Sequence, residues 1–187
     1  MYKQILNYNI DIERLKTETV LLFENRDLFS DIFKTQLGLT YANEESKNKY
    51  LDAVGSLDLD YEKWDGEVNP PPRKDKVAEK DFNKIVPDLK GTYIYDLLSD
   101  LQNKFNIGRT RLLLMEPKTC LTWHQDSTFR LHIPIITNER CMMVWNNTTL
   151  HMPEGTLYWV DTTQPHTAFN GSFEQRIHLV TTVENQQ

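Results

Sequence analysis

The second half of the sequence predicts an antiparallel β-sandwich or barrel, preceded by helices. From residue 107 onward, short runs of β-branched, aromatic and aliphatic residues recur, and Pro, Gly and Asn residues separate them. In the longest run apolar and polar side chains alternate, as expected of a strand with one face in a core. The predicted strands are Arg111–Met115, Phe129–Ile136, Cys141–Trp145, Thr156–Val160 and Arg176–Val183.

Two amphipathic helices are predicted before the strands. The first runs from Asp11, a candidate N-cap, to about Glu24. The second runs from Thr92 to about Phe105, and Gly108 follows closely as a signal for its end. Its apolar stripe should pack on a sheet. The residues that define this stripe are Ile94, Leu97, Leu98, Leu101 and Phe105.

The predicted organisation is one domain with a helical and loop-rich segment over residues 1–106 and a β core over residues 107–187. Within the first segment, residues 42–90 are rich in charged residues and Asn, are broken by Pro70-Pro71-Pro72, and contain only short apolar clusters around Tyr61 and Trp64. The favoured interpretation is a solvated excursion. The alternative is a lid or a loop that grips a substrate, because long ordered loops are often functional.

Composition excludes several classes of function. The net charge is −6 and the pI is near 5.4, which argues against binding to nucleic acid or to an anionic membrane. Because no apolar run approaches the length of a membrane helix and no signal-peptide pattern begins the chain, we expect a cytoplasmic protein. Cys120 and Cys141 lie in apolar runs and are predicted to be buried free thiols.

Strand alternation places two similar polar pairs on inner faces. Arg130 and His132 share the face opposite the apolar side chains of their strand, and Arg176 and His178 do the same in the last strand. Asn170-Gly171 predicts a hairpin turn that would place His166 on a strand next to that of Arg176.

The triplet His124-Gln125-Asp126 is a candidate for two ligands of a metal ion. On extended backbone a His and an Asp two residues apart point to the same side, and His166 could supply a third ligand from a distant strand. Two imidazoles and one carboxylate are the ligands of mononuclear non-haem iron, with the remaining positions open. Arg176 would provide the counter-charge for an anionic co-substrate such as 2-oxoglutarate.

Other polar and aromatic residues have weaker signals. Arg109, Arg111 and Arg140 are interpreted as surface charges, and His151 as a strand-edge residue. His178 is either a satisfied buried histidine or part of the pocket. Possible substrate contacts or pocket-lining residues are Trp123, Trp145 and His178.

Several of these stretches together resemble the aspartyl/asparaginyl β-hydroxylase family of iron(II)- and 2-oxoglutarate-dependent oxygenases. They are Met115-Glu-Pro-Lys-Thr-Cys-Leu-Thr-Trp-His124, Arg130-Leu-His132-Ile-Pro-Ile, Gly155-Thr-Leu-Tyr-Trp-Val-Asp161, and His166-Thr-Ala-Phe-Asn170 before Arg176. The resemblance covers roughly residues 107–182.

The resemblance implies a mainly β protein with flanking helices, built on a double-stranded β-helix, which is a jelly-roll of the cupin type. It implies iron at the open end, with His124, Asp126 and His166 as ligands. Arg176 would bind the distal carboxylate of 2-oxoglutarate, and Arg130 and His132 would approach its other end.

Two departures from the family pattern are visible in the residues. The animal members have glycine where this chain has Asp126, and they have a serine where it has Leu113.

The expected function is therefore hydroxylation of an amino acid, free or in a peptide, with consumption of dioxygen and release of succinate and CO₂. Three alternatives stay open. One is a cupin-type metalloenzyme that does not use 2-oxoglutarate. The others are a non-catalytic β-barrel binding module and a structural interaction protein.

Overall fold

Antiparallel strands in two main sheets form the core of the protein. The computed structural model describes residues 2–29, 33–60, 63, 70–74, 76–145 and 147–183. The helices are α1 (Ile12–Glu24), α2 (Lys49–Asp52) and α3 (Tyr93–Phe105). The strands are β1 (Tyr2–Ile5), β2 (Gln36–Gly38), β3 (Thr40–Tyr41), β4 (Lys84–Ile85), β5 (Ile107–Met115), β6 (Thr119–Cys120), β7 (Phe129–Ile136), β8 (Cys141–Trp145), β9 (Thr148–Leu150), β10 (Leu157–Val160), β11 (His166–Asn170) and β12 (Arg176–Val183).

The order of the strands identifies the fold. The larger sheet has the order β1-β10-β7-β12-β5-β2, and the smaller has the order β6-β11-β8-β9. Of the eight strands from β5 to β12, the larger sheet contains β5, β7, β10 and β12. The smaller sheet opposite contains β6, β8, β9 and β11. This is the jelly-roll arrangement of a double-stranded β-helix. The predicted fold class, mainly β with flanking helices, is confirmed.

The main hydrophobic core lies between the larger sheet and the helices. From α3 it contains Ile94, Leu97, Leu98 and Leu101, which pack with sheet residues such as Leu112. Full burial of each such side chain contributes about 1.5–3 kcal/mol. Both predicted helices are confirmed, and the side chains of Asp11 and Thr92 cap their first turns.

The end of α3 differs from the prediction. Asn106, not Gly108, takes the left-handed conformation at the C-cap, with φ of 50°. Gly108 instead lies inside β5, where the turn Glu79–Asp81 crosses the strand. A Cβ atom at Gly108 would lie 2.4 Å from the carbonyl oxygen of Glu79. Glycine is required here by this close approach of two backbones.

Alternation along the long strands divides the two faces of the larger sheet as predicted. Leu131, Ile133 and Ile135 of β7 are buried in the helix-packed core. Arg130 and His132 point to the opposite face, toward the smaller sheet. The same alternation in β12 separates its apolar residues from its Arg-x-His pair. The inner face of the sheet is therefore unusually polar.

The amino-terminal segment contributes strands as well as helices. β1 pairs with β10 at one edge of the larger sheet, and β2 pairs with β5 at the other. Thus the sheet extends beyond the predicted core of residues 107–187. The position of β2 depends on Gly38, where a Cβ atom would meet the carbonyl oxygen of Tyr50 at 2.8 Å. This contact fixes β2 against α2.

The charged stretch of residues 42–90 is not simply a solvated excursion. In its described part, Tyr50, Val54 and Phe82 are buried. Asp52 is buried too; its carboxylate accepts hydrogen bonds from two backbone N–H groups and forms an ion pair with Arg73 at 2.7 Å. The predicted clusters at Tyr61 and Trp64 lie outside the described residues.

The predicted hairpin at Asn170-Gly171 is wrong. β11 and β12 follow each other in the chain but belong to different sheets, so this connection crosses between the sheets. The side chain of Asn170 organises the crossing. Its amide donates to the carbonyl oxygens of Met115 and Glu174, at 3.1 and 2.7 Å, and its oxygen accepts from the backbone and hydroxyl of Ser172.

We expect Asn170→Ala to lower the free energy of unfolding by about 2 kcal/mol or more, because it orphans several buried hydrogen-bonding groups. Urea denaturation would measure this loss. Asn103→Ala, at an exposed position of α3, is the matched control. Equal stability of the two variants would contradict the role assigned to Asn170.

Two further sequence predictions can be compared with the structure. Cys141 is a buried free thiol as predicted, but Cys120 is exposed, because it lies in the short edge strand β6. In the part of the chain that the structure describes, none of the helices has the length and apolar character needed to cross a membrane.

Candidate metal centre and its cavity

Backbone pairing brings the His-x-Asp triplet against the start of β11. His124 and His166 exchange two backbone hydrogen bonds, of 3.0 and 2.9 Å, and the N–H of Asp126 donates to the carbonyl oxygen of Thr162 at 2.8 Å. The triplet therefore runs antiparallel to the segment before β11. Side chains two residues apart on such backbone point to one side, so all three candidate ligands meet.

The three side chains form a compact group. One ligand atom from each of His124, Asp126 and His166 lies within 4.8 Å of the others. The Nδ1 atoms of the histidines contact the carbonyl oxygens of Thr122 and Gln164, at 2.8 and 2.9 Å. Because a carbonyl only accepts, Nδ1 carries a proton, and Nε2 is the nitrogen left for a metal ion. This is the tautomer that a metal ligand requires.

Burial favours the same state of His166. Desolvation lowers the pKa of His166 below its ordinary value, and the nearby His124 acts in the same direction, against the hydrogen bond to Gln164. The ring is therefore neutral at neutral pH. A neutral imidazole is the form that binds a metal, so no proton has to be displaced from His166.

A cavity of about 300 Å³ opens beside these side chains. Its described wall includes Arg130, His132, Arg176 and His178 from the larger sheet, together with all three candidate ligands. The remaining wall is mostly apolar and includes Leu113, Met115, Leu121, Met143, Ala168 and Val180. A cavity that combines apolar wall with convergent polar groups is typical of a small-molecule site.

Arg176 is buried in this wall and points to His178. Its Nε donates to Nε2 of His178 at 3.0 Å, and its Nη2 lies 3.1 Å from Nδ1 of the same ring. Within the described residues no carboxylate lies within 4.0 Å of its guanidinium group. Burial lowers the pKa of Arg176 to about 10, so it remains a cation at neutral pH. A buried cation of this kind needs an anion.

The imidazole ring of His132 has no hydrogen-bond partner among the described residues. Both of its ring nitrogens are buried. Burial holds its pKa well below the ordinary value, and Arg176 and Arg130 add to this effect. A neutral, buried imidazole facing a cavity can donate one hydrogen bond and accept another, so it suits a polar ligand.

Arg130 is already occupied by other residues. Its Nη1 and Nη2 bind the two carboxylate oxygens of Glu79 at 3.0 and 2.9 Å, and its Nε lies 3.3 Å from Oδ2 of Asp126. The expected approach to 2-oxoglutarate is therefore less direct for Arg130 than for Arg176. The structure instead makes Arg130 the residue that orients the carboxylate of Asp126.

The sequence did not identify Glu79 or the nearby arginines as part of this region. Arg109 is buried, and it contacts Glu79 at 3.5 Å and the carbonyl oxygens of Ala53 and Gly55. Arg111 lines the cavity. The interpretation of both arginines as surface charges is therefore wrong, whereas Arg140 is exposed as predicted. An arginine inside an apolar strand run is the signal that could have revealed Arg111.

The aromatic candidates do not line the described cavity. Trp145 is buried in a second hydrophobic cluster, where its Nε1 donates to the carbonyl oxygen of Asp161. Trp123 is 55% exposed on the loop before His124. Of the three side chains predicted as possible pocket lining, only His178 belongs to the wall in the described part of the chain. His151 lies apart from the candidate ligands and contacts the carbonyl oxygen of Cys141.

The fold and the site together define a jelly-roll protein with a candidate metal centre beside a cavity. A sequence model of the aspartyl/asparaginyl β-hydroxylase family matches residues 88–186, more than half of the chain. The chain therefore belongs to the aspartyl/asparaginyl β-hydroxylase family.

Solved structures with partial similarity include a cupin domain from Bordetella pertussis, with 15% identity, coverage of 41% of this chain and 81% of that one, and a TM-score of 0.37. An oxidoreductase of the 2OG-Fe(II) oxygenase family from Burkholderia pseudomallei has 12% identity, coverage of 50% and 49%, and a TM-score of 0.37. The viral collagen prolyl hydroxylase from Paramecium bursaria Chlorella virus-1 has 14% identity, coverage of 48% and 66%, and a TM-score of 0.36.

Proposed function

We propose that the protein is an iron(II)- and 2-oxoglutarate-dependent oxygenase that hydroxylates an amino acid, free or in a peptide. One observation carries this proposal: the His124, Asp126 and His166 side chains converge in the wall of a cavity that also holds a buried Arg176, which has no carboxylate partner among the residues that the structure describes. Family membership supports the hydroxylation of a C–H bond as the outcome.

The three side chains fit an iron(II) ion. Two imidazoles, each with Nδ1 on a backbone carbonyl oxygen and Nε2 available to an ion, and one carboxylate are the ligand set of non-haem iron oxygenases, and they leave positions open. When bound, iron with 2-oxoglutarate and dioxygen supplies the oxidising power for hydroxylation, with release of succinate and CO₂. Arg130 holds Asp126 in place through the contact of 3.3 Å, and Glu79 in turn fixes Arg130.

The cavity wall also fits a dicarboxylate. Arg176 offers the planar, charged fork that matches a carboxylate group, and His178 holds that fork in one orientation. His132 can donate a hydrogen bond to a second oxygen, because neither of its ring nitrogens has a partner in the described part of the chain. Leu113, with its apolar side chain, occupies part of the wall and excludes water there. The residues of the wall thus bind and orient the co-substrate.

Anaerobic addition of 2-oxoglutarate to the iron(II)-loaded protein tests the proposal. We expect a weak visible charge-transfer band that needs both components, and release of succinate once air is admitted with an amino-acid substrate. Omission of the metal or of 2-oxoglutarate is the control. Absence of both the band and succinate release would contradict the proposal. Metal-dependent turnover without 2-oxoglutarate would favour a different cupin-type enzyme.

We expect Arg176→Lys to raise the KM for 2-oxoglutarate by about tenfold or more, since lysine cannot form the paired hydrogen bonds of a guanidinium group. Measurement of succinate formation against 2-oxoglutarate concentration checks this. The exposed Arg140→Lys is the matched control. An unchanged KM would show that another group binds the co-substrate.

A further inference from the structure

The smaller sheet has an outer face that is turned away from the cavity. Met143 of β8 and both His166 and Ala168 of β11 line the cavity, so the residues that alternate with them in these strands point outward. The strand register extends the same face to the edge strands β6 and β9. The outward residues are Cys120, Met142, Val144, Thr149, Thr167 and Phe169.

No layer of described residues packs on this outer face. The helices pack on the larger sheet, and neither hydrophobic cluster of the described chain contains Met142, Val144 or Phe169. These three side chains are only half-buried. At the edge of the face, next to β6, the indole ring of Trp123 is 55% exposed. A continuous apolar surface that is open to water is characteristic of an interaction site.

The outer face is also uncharged, although 26% of the residues in the chain are charged. None of the outward side chains given above is acidic or basic. Charged residues lie at one end of the face, where Lys118 and Arg140 both contact the backbone of Gly171 and Lys118 covers the ring of Phe173. An apolar centre with aromatic residues and Met, bordered by charged residues, is the usual composition of a protein–protein interface.

The charge and the shape of the face favour a second copy of the chain as its occupant. Two copies, each with a net charge of −6, repel one another least where two uncharged faces meet. Antiparallel sheets pack on one another face to face, about 10 Å apart, so this face is complementary to itself. When both copies use the same face, a two-fold axis closes the assembly at two chains.

The size of the face determines how strong this contact can be. Four short strands about 4.8 Å apart give roughly 300 Å² of sheet surface per copy. With its rim, this area lies at the low end of specific interfaces, where complexes are weak and transient. We infer that the outer face of the smaller sheet, with Trp123 at its edge, is the contact surface of a weak, reversible, two-fold homodimer. Its formation requires neither a metal ion nor 2-oxoglutarate.

Sedimentation velocity over a series of concentrations of the full chain tests for the dimer. We expect the average mass to rise from that of one chain toward that of two, with a Kd in the micromolar range or weaker. Thr149→Glu, at an exposed position of the face, should raise the Kd by about a hundredfold or more, because the added charge enters a two-fold interface twice. Leu21→Glu on α1, where Leu21 is 59% exposed, is the matched control and should leave the Kd unchanged.

Cys120 gives an independent readout, because it is an exposed thiol of the face, whereas Cys141 is buried. Alkylation of Cys120 by iodoacetamide, followed by mass spectrometry, should become slower as the protein concentration rises, with the same midpoint as in sedimentation. Thr149→Glu should remove this protection and Leu21→Glu should keep it.

Three results would overturn the assignment of the interface. They are a chain that stays monomeric up to millimolar concentration, a dimer that Thr149→Glu does not weaken, and a dimer in which Cys120 reacts equally fast at every concentration. Circular dichroism checks that each variant is folded. If Thr149→Glu does not fold, Trp123→Glu introduces the same charge at the exposed edge of the face and is judged by the same outcomes.

Discussion

Replacing Asp126 with glycine is expected to abolish iron-dependent turnover of 2-oxoglutarate and to leave the fold intact. The carboxylate is one of only three candidate ligands in the described cluster, and its loss leaves two imidazoles for a divalent ion. The fold should tolerate the change, because Arg130 keeps both oxygens of Glu79 as partners. The change also recreates the residue of the animal relatives that this sequence resembles.

Two measurements together test this result. Iron(II) affinity should fall by at least about tenfold, because loss of a residue that only supports a metal ligand already lowers metal affinity by that much. Succinate release should disappear. Asp27→Gly, at an exposed position, is the matched control for loss of a carboxylate. If Asp126→Gly retained substantial turnover, two histidines would suffice in this chain, and Asp126 would be a residue that positions Arg130.

Replacing Glu79 with glutamine is expected to lower the free energy of unfolding by about 3–5 kcal/mol, because it removes the negative charge that two buried cations share. Glu79 is the carboxylate shared by Arg109 and Arg130, whose side chains are 7% and 5% exposed. Urea denaturation measures the loss. Glu139→Gln, at an exposed position, is the control. A difference of less than about 1 kcal/mol, typical of exposed ion pairs, would contradict this role.

The same carboxylate predicts a dependence of stability on pH. Burial alone raises the pKa of Glu79, but Arg130, the hydroxyl of Thr128 and Arg109 outweigh it, so the net pKa is lowered. Such a group stabilises the folded state above its unfolded pKa, and the contribution is lost as pH falls through the lowered folded value. The wild type should therefore lose stability in acid more steeply than Glu79→Gln. Parallel stability profiles would oppose this explanation.

The sequence predicts those parts of the fold that depend on local pattern. Alternation in Phe129–Ile136 is sufficient to place Leu131 in the core and Arg130 inside the cavity, because strand side chains point to opposite faces. The failure at Asn170-Gly171 has a physical reason. A turn signal reports that the chain changes direction, but not whether the next strand returns to the same sheet or crosses to the other one.

In the candidate site too, the sequence predicts the residues that local pattern brings together but not those that meet only in the tertiary structure. His124 and Asp126 are two residues apart in sequence, so their convergence follows from extended geometry, and the resemblance supports the choice of His166 and Arg176. Glu79 gives no such signal, because it lies in a stretch full of charged residues. Its partner Arg130 is distant in the chain, and the contact depends on a close backbone approach at Gly108. Pairings of this kind require the tertiary structure.

The edge strands of the larger sheet have a consequence for how the chain folds. Tyr2 pairs with Val160, so β1 is made well before its partner strand β10 during synthesis and can pair only after the more than 150 residues between them have followed. β2 must likewise wait for β5. The entropy of closing such long loops has to be overcome before the contacts form, which makes folding slow. Until then both strands are unpaired, and the nascent protein exposes surfaces on which intermolecular association can begin.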